Sequence, residues 1–415
     1  MSRTLVASLL LAAALLPARA GAALRAPALS VPHGITAHEL ALVVNDSDPA
    51  SIELAEHYAQ ARGIPAAQVV HVAFPPGRAV LDADEFHRIK VQVDGAVPDR
   101  VQAFALAWTE PYRVDCMSIT AAFAFGFDRA HCAEGCRLTR PSPYFDSDSA
   151  APHRDLGVRP TMLLAAPNLA EAKALVDRGV RSDAQWPQGR AYLLQTSDAQ
   201  RSVRAPEYEH ARQLLRGAYP IEQVKADAIE GRADVMFYFT GLARVPRIET
   251  NRFLDGAIAD HLTSAGGVLL GSGQTSALAW IHAGATGSYG TALEPCNFAQ
   301  KFPALPIVMG RYLAGETLIE AYWKSVRMPG QGVFVGEPLA RPFGGVRRRV
   351  VGATVEFRIR ALPPGRYRLQ AARSSVGPFR TVAMLQFDRF GPQTLRVPAT
   401  PALAYRLVPD QPGPG

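Results

Sequence analysis

The run from Leu40 to Val44 is apolar at every position and stops at Asn45-Asp46-Ser47-Asp48-Pro49. A half-exposed strand alternates in polarity, so an unbroken run belongs to a strand covered on both faces, as in a parallel sheet. Asp48 stands where a helix N-cap is wanted, with Pro49 at the first helical position. Leu54, Tyr58 and Ala61 recur at helical spacing, Gly63 and Pro65 close the helix, and Val69 to Phe74 supplies a second strand. A strand–helix–strand unit of this kind opens a doubly wound sheet.

The rhythm predicts further helices over Asp82 to Val93, Leu169 to Arg178, Tyr208 to Leu215, Thr275 to Ala283 and Leu313 to Ser325. It predicts strands over Val101 to Trp108, Thr161 to Ala165, Ala191 to Gln195, Asp234 to Phe239, Gly267 to Leu270, Ala285 to Tyr289 and Gly332 to Val335. After Phe343 the period changes to two: Val355, Phe357 and Ile359 alternate with polar residues, as do Tyr367, Leu369 and Ala371. Short alternating strands separated by turn residues read as a β-sandwich. The expected organisation is an α/β domain over 38–344 and a small all-β sandwich over 345–410. A linker over 23–37 precedes them, and a Pro/Gly tail over 411–415 is expected to be disordered.

At the N-terminus, Arg3 precedes the apolar run Leu5 to Leu16, and small-x-small patterns follow at Ala18 to Ala22. This is the pattern of a signal peptide over 1–22, and the run is too short for an ordinary membrane helix. The expected location is therefore the periplasm or the extracellular space, with no membrane span after cleavage. The formal net charge of +7 falls to +5 once Arg3 and Arg19 are removed. The arginines are dispersed, without the basic stripe and interleaved aromatics of a nucleic-acid surface. Four cysteines remain: Cys116, Cys132, Cys136 and Cys296. An even count in an oxidising compartment points to disulfides before metals. The Cys132-x-x-x-Cys136 spacing suggests a local disulfide, with free thiols or a metal site as alternatives; for zinc, only His131 lies nearby. No metal and no cofactor is expected.

Ligands of a doubly wound sheet gather beyond the carboxyl ends of its strands. The candidate binding residues there are Asp46, Asp48, Glu110, Thr240, Gln274 and Tyr289. Asp46 and Asp48 also read as turn and capping residues. Ser272 sits in a glycine-flanked turn, although Gly271-Ser272-Gly273 is not the Gly-x-Ser-x-Gly elbow. Cys296, with His282 or Glu294 assisting, is the other candidate nucleophile, since a reactive thiol needs a base or a helix N-terminus.

From Asp234 to Phe343 the chain resembles the caspase-like fold of gingipain-type cysteine peptidases. Val235 to Phe239 ends in Thr240-Gly241 where such enzymes carry His-Gly, and Val268 to Leu270 ends in Gly271-Ser272 where they carry the nucleophilic Cys. Ala283-Gly284-Ala285 matches their Gly-Ala strand, and Gly336-Glu337-Pro338 their Gly-Asp-Pro, before an immunoglobulin-like module. The resemblance implies the scaffold without its His/Cys pair.

Nearly the whole α/β part is also similar to an uncharacterised exported bacterial family of species that carry exosortase-type protein sorting. The similarity rests on Asn45-Asp46-Ser47-Asp48-Pro49, Ser118-Ile119-Thr120, Arg159-Pro160-Thr161-Met162-Leu163-Leu164, Gly284 to Thr291, Glu294-Pro295-Cys296-Asn297-Phe298, Glu320-Ala321-Tyr322-Trp323 and Pro329-Gly330-Gln331-Gly332. It implies an envelope location and a role in surface or matrix processing, with no activity attached. The chain lacks a C-terminal Pro-Glu-Pro tag, which fits an accessory factor rather than sorted cargo. The expectation is thus a catalytically degenerate caspase-like protein that binds a peptide, polysaccharide or protein partner. The alternative is a peptidase-like hydrolase with a relocated nucleophile, Ser272 or Cys296.

Overall fold

A computed structural model describes residues 28–30, 34–133, 135–294, 296–362, 364–373, 378–388, 391–398 and 404–410. The signal peptide and the C-terminal tail expected from sequence lie outside them. The chain divides into two compact units, Gly34–Phe343 and a second built from chain on either side of it.

Ten strands form the main sheet of the first unit: β1 Leu40–Asn45, β2 Val69–Val72, β3 Ala103–Leu106, β4 Thr161–Leu163, β5 Arg190–Gln195, β6 Ile221–Lys225, β7 Val235–Thr240, β8 Phe253–His261, β9 Gly287–Thr291 and β10 Gly332–Gly336. Among the described residues nine helices accompany them: α1 Pro49–Arg62, α2 Ala83–Ala96, α3 Ile119–Phe125, α4 Pro152–Leu156, α5 Leu169–Ser182, α6 Pro206–Leu214, α7 Ala277–His282, α8 Leu305–Leu313 and α9 Leu318–Ser325. The order across the sheet is β6-β5-β7-β8-β9-β10-β4-β3-β1-β2. It contains one pattern twice: β2-β1-β3-β4 and β6-β5-β7-β8 are parallel four-stranded halves with the same internal order. The antiparallel pair β9–β10 stands between them, and β10 meets β4 at one pair, Val335 opposite Leu163.

The repetition reaches single atoms. After β1 the Asn45 N–H donates to Ser51 Oγ at 2.9 Å, and after β5 the Thr196 N–H donates to Ser202 Oγ at 3.0 Å. Each buried serine thus closes the turn that leaves the first strand of its half. The Asp48 side chain accepts from Ala50 N at the start of α1, Pro49 follows it, and Gly63 ends the helix at φ 66°, where a side chain would be strained. Arg62, at the other end of α1, pairs with Glu337, which is fully buried and also accepts from Tyr58 Oη at 2.9 Å.

Three expectations change. The run Gly267 to Leu270 is not a strand: residues 264–267 form a turn, and the strand beside β7 is Phe253–His261, which the apolar pattern did not mark. Gly267 and Gly290 let the turn touch β9: a Cβ on Gly267 would stand 2.5 Å from the Gly290 carbonyl oxygen, and one on Gly290 2.2 Å from the carbonyl carbon of Gly266. The single helix expected over Leu313 to Ser325 is two, because Gly315 breaks the chain and Thr317 with Glu320 builds a new capping box for α9. The stretch read as a linker contributes a strand, Ala28–Ser30, parallel to Ala404–Pro409, and a 3-10 turn at Ala37–Glu39.

The second unit is a β-sandwich. One sheet holds Ala28–Ser30, Ala404–Pro409, Gly365–Ala372 and Arg380–Phe387; the other holds Val346–Val351, Thr354–Leu362 and Gly391–Pro398. Val355, Phe357, Ile359, Tyr367, Leu369, Leu395, Val397, Tyr405 and Leu407 fill the space between them. Among the described residues no helix is long and apolar enough to cross a membrane.

Candidate functional site

The carboxyl ends of β7 and β8 define the centre of the second half. Thr240, the last residue of β7, is fully buried, and its carbonyl accepts from Arg204 Nη2 at 2.8 Å. Gly241 follows because the loop after β5 presses on it: a Cβ there would lie 1.8 Å from the Arg201 carbonyl oxygen. β8 ends in Asp260 and His261, both wholly buried. Arg204 pairs with Asp260 at 2.7 Å, so two opposite charges share a dry site. Burial drives the Asp260 carboxyl upward while Arg204 pulls it back. The Trp280 indole donates to His261 Nδ1 at 3.0 Å. Burial, and next the Arg204 charge, hold His261 down to about 3, so the imidazole is neutral at physiological pH.

Beside these strand ends lies an open cavity of about 380 Å³, lined among others by Gln200, Arg201, Thr263, Phe298, Phe302 and both Cys136 and Cys296. Arg201 is held by two bonds, Nε to Thr263 Oγ1 at 3.1 Å and Nη1 to Asp198 at 2.7 Å. Phe298 and Phe302 give apolar wall. Glu294 also lines the cavity; it accepts from the Cys296 N–H at 2.9 Å and pairs with the fully buried Lys301 at 2.7 Å. Desolvation raises the Glu294 carboxyl, against the pull of Lys301 and the Cys296 amide. A preorganised guanidinium beside aromatic walls suits a ligand that carries both a carboxylate and an apolar group.

A smaller cavity of about 220 Å³ sits at the ends of β1, β3 and β4 and takes Asp48, Trp108, Glu110, Asn168 and Leu270 into its lining. Two of the binding residues expected from sequence, Asp48 and Glu110, meet there. Partial burial raises the Glu110 carboxyl. Segment 137–160 is anchored at its middle: Tyr144 is fully buried, and Arg311 of α8 binds Asp146 at 3.0 Å and Asp148 at 2.7 Å.

The remaining candidates are dispersed. Asp46 pairs at the surface with His71 at 2.6 Å. Gln274 is a brace, its Oε1 accepting from Thr263 Oγ1 and from Ala265 N, both at 2.8 Å. Tyr289 is buried and donates to the Lys301 carbonyl at 2.5 Å. Ser272 lies in the loop between β8 and α7, not at a strand end; its Oγ accepts from the Gln274 N–H at 3.0 Å and lies 3.4 Å from the Ala265 carbonyl. His282 is exposed on α7, its Nδ1 2.9 Å from Glu171.

Cysteine pairing corrects the sequence reading. Cys132 joins Cys116, with Cα atoms 5.3 Å apart, and Cys136 joins Cys296, with Cα atoms 5.4 Å apart. The local Cys132–Cys136 bridge is therefore absent. No cysteine is free, so Cys296 has no thiol to offer, and neither it nor Ser272 has an imidazole among its bonded partners. Arg201, Arg204, Asp260, His261 and Phe298 were missed. The one signal for Arg201 was its place three residues beyond Asp198, in a turn built like the one after Asn45. Among the described residues no three His, Cys, Asp or Glu side chains gather as a metal site.

No family model and no curated protein matches the sequence. A solved structure described as "Structure of Protease" aligns over 90% of this chain and 98% of its own, with 9% identity and a TM-score of 0.43.

Proposed function

We propose that this chain is an exported, catalytically degenerate caspase-like protein of the cell envelope that binds peptide in the cavity beside β7 and β8. The observation that carries the reading is the composition of that cavity: Arg201 is fixed by Asp198 and Thr263 next to Phe298 and Phe302, and its cysteines are locked in a disulfide. Such a lining can hold a ligand and has no activated nucleophile to attack it. Thr240 and His261 occupy the strand ends, buried, where a caspase-like enzyme would present its reacting groups. Two disulfides with no thiol left over suit an oxidising compartment and so support export. The family resemblance supports an accessory part in surface protein sorting or matrix processing.

An acidic residue next to an aromatic or aliphatic one is the ligand this lining fits. Fluorescent hexapeptides varied at two neighbouring positions, read by anisotropy, test it. Peptides with Asp or Glu beside Phe or Leu should bind best and be recovered intact, with affinity at least about tenfold lower in Arg201→Ala. Binding without sequence preference, or an unaffected variant, would sink the reading. Cleaved peptide would replace it with a hydrolase.

A further inference from the structure

The two disulfides differ in setting. In one bridge Cys116 is half-buried and Cys132 only 2% exposed; in the other Cys296 is half-buried on the wall of the larger cavity and Cys136 is exposed. Cys136 belongs to the loop after α3 in the first half, and Cys296 to the loop after β9, 160 residues further on. Several bonds on either side run to that loop's own surroundings. On one side Arg140 N donates to the Ala130 carbonyl and Ser142 N to the Arg327 carbonyl; on the other, Cys296 N donates to Glu294 and Asn297 Nδ2 to the Gln200 carbonyl. Two residues beyond Cys136, Leu138 is 62% exposed, an apolar side chain that adds little packing to its loop.

We propose that Cys136–Cys296 is a thiol-addressable tether of the cavity, opened by an external dithiol while Cys116–Cys132 stays closed. The inference rests on the reading of this cavity as the ligand site. One thiolate of the dithiol attacks a sulfur of the bridge, forming a mixed disulfide and releasing the other cysteine as thiolate. The second thiol of the reagent then displaces the remaining cysteine. The dithiol leaves as a cyclic disulfide, having given two electrons, and both cysteines are thiols after protonation. Attack depends on access to sulfur, and only Cys136–Cys296 has an exposed cysteine, whereas Cys116–Cys132 has a buried one. Once open, the 133–141 loop is no longer tied to the 292–298 loop and the cavity loses the wall they share. A ligand must then order both loops on binding, which lowers its affinity.

The test treats the full folded chain with dithiothreitol, blocks the thiols with iodoacetamide over time, and maps them by mass spectrometry alongside amide hydrogen exchange. Cys136 and Cys296 should be blocked at least about tenfold faster than Cys116 and Cys132, with exchange rising in 133–141 and 292–298 and unchanged in β1, β3 and β7. Release of both bridges together, or fast reduction with unchanged exchange in the two loops, overturns the proposal. The Cys136→Ser/Cys296→Ser double variant should reproduce the reduced exchange pattern; if it does not fold, the reduction series on the natural chain decides alone. In the same samples, peptides that bind the oxidised chain should bind the reduced one about tenfold more weakly. Equal affinity in both states refutes the tether's control of the site. Failure of the oxidised chain to bind any peptide refutes the peptide reading, while thiol mapping and exchange still judge the tether.

Discussion

Replacing Asp260 by Asn tests the buried pair at the centre of the second half. The substitution keeps the volume and removes only the charge, so no cavity confuses the result. Arg204 is then left with its guanidinium 1% exposed, bonded to the Thr240 carbonyl but without a counter-ion 2.7 Å away. Breaking one side of a buried ion pair costs about 3–5 kcal/mol, because the surviving charge stays desolvated. A unit of this size loses about 2 °C of Tm per kcal/mol, which places the expected drop at about 6–10 °C. Calorimetry at pH 7 with reversible urea unfolding alongside reads both quantities. The surface pair Arg181–Asp255 is the control, and Asp255→Asn should move Tm by less than about 1 °C. A loss under about 1 kcal/mol in Asp260→Asn would refute the reasoning, since it would mean that Arg204 finds solvent or another partner once Asp260 is neutral.

Three other outcomes are expected. His261 is held near 3 in the folded chain against 6.5 ordinarily, so between those values the unfolded chain binds a proton that the folded chain refuses. Its effect is therefore a fall in stability as pH drops from about 6.5 towards 3. His261→Gln should flatten the urea-derived stability against pH in that window, read as the difference from the natural chain because raised carboxyls such as Glu294 and Glu316 act with the opposite sign. Gly290→Ala drives a Cβ into the Gly266 backbone and should cost more than about 2 kcal/mol in urea unfolding; a neutral result would mean that the 264–267 turn can move. Serine- and cysteine-directed hydrolase probes should leave Ser272 and Cys296 unmodified in the native chain, and a stoichiometric adduct at either, found by mass spectrometry, would contradict the absence of an activated nucleophile.

The first half was readable because two of its strands are unbroken apolar runs: Leu40 to Val44 and Ala103 to Leu106 hold no polar residue. β8 was not readable, because Asp255, Gly256, Asp260 and His261 interrupt the run. Asp260 is tolerated only because Arg204, more than fifty residues earlier, reaches it, and nothing local announces such a partner. Gly267 to Leu270 misled for the converse reason: it is locally apolar, but its glycines serve a close approach to Gly290. Ser272 was placed at a strand end only through that misplaced strand. The sandwich was legible from its period of two. Cysteine spacing favoured the short loop, and the pairing with Cys296 depends on a chain crossing that spacing cannot express. Asp48 and Glu110 were legible as strand-end residues, whereas Arg201 lies six residues beyond the end of β5 at Gln195, on the far side of a turn.

The place of β10 in the sheet bears on how the chain is made. Synthesis delivers β1 to β4 early, yet the neighbour that covers the free edge of β4 is residues 332–336, and the Glu337 that clasps Arg62 of α1 comes immediately after. A nascent chain emerging from the ribosome therefore carries an unpaired parallel edge, ready to join other strands, until almost the entire α/β unit has been translated. Such a chain gains from being held unfolded until its last strand is available, a task suited to a chaperone that binds the nascent chain.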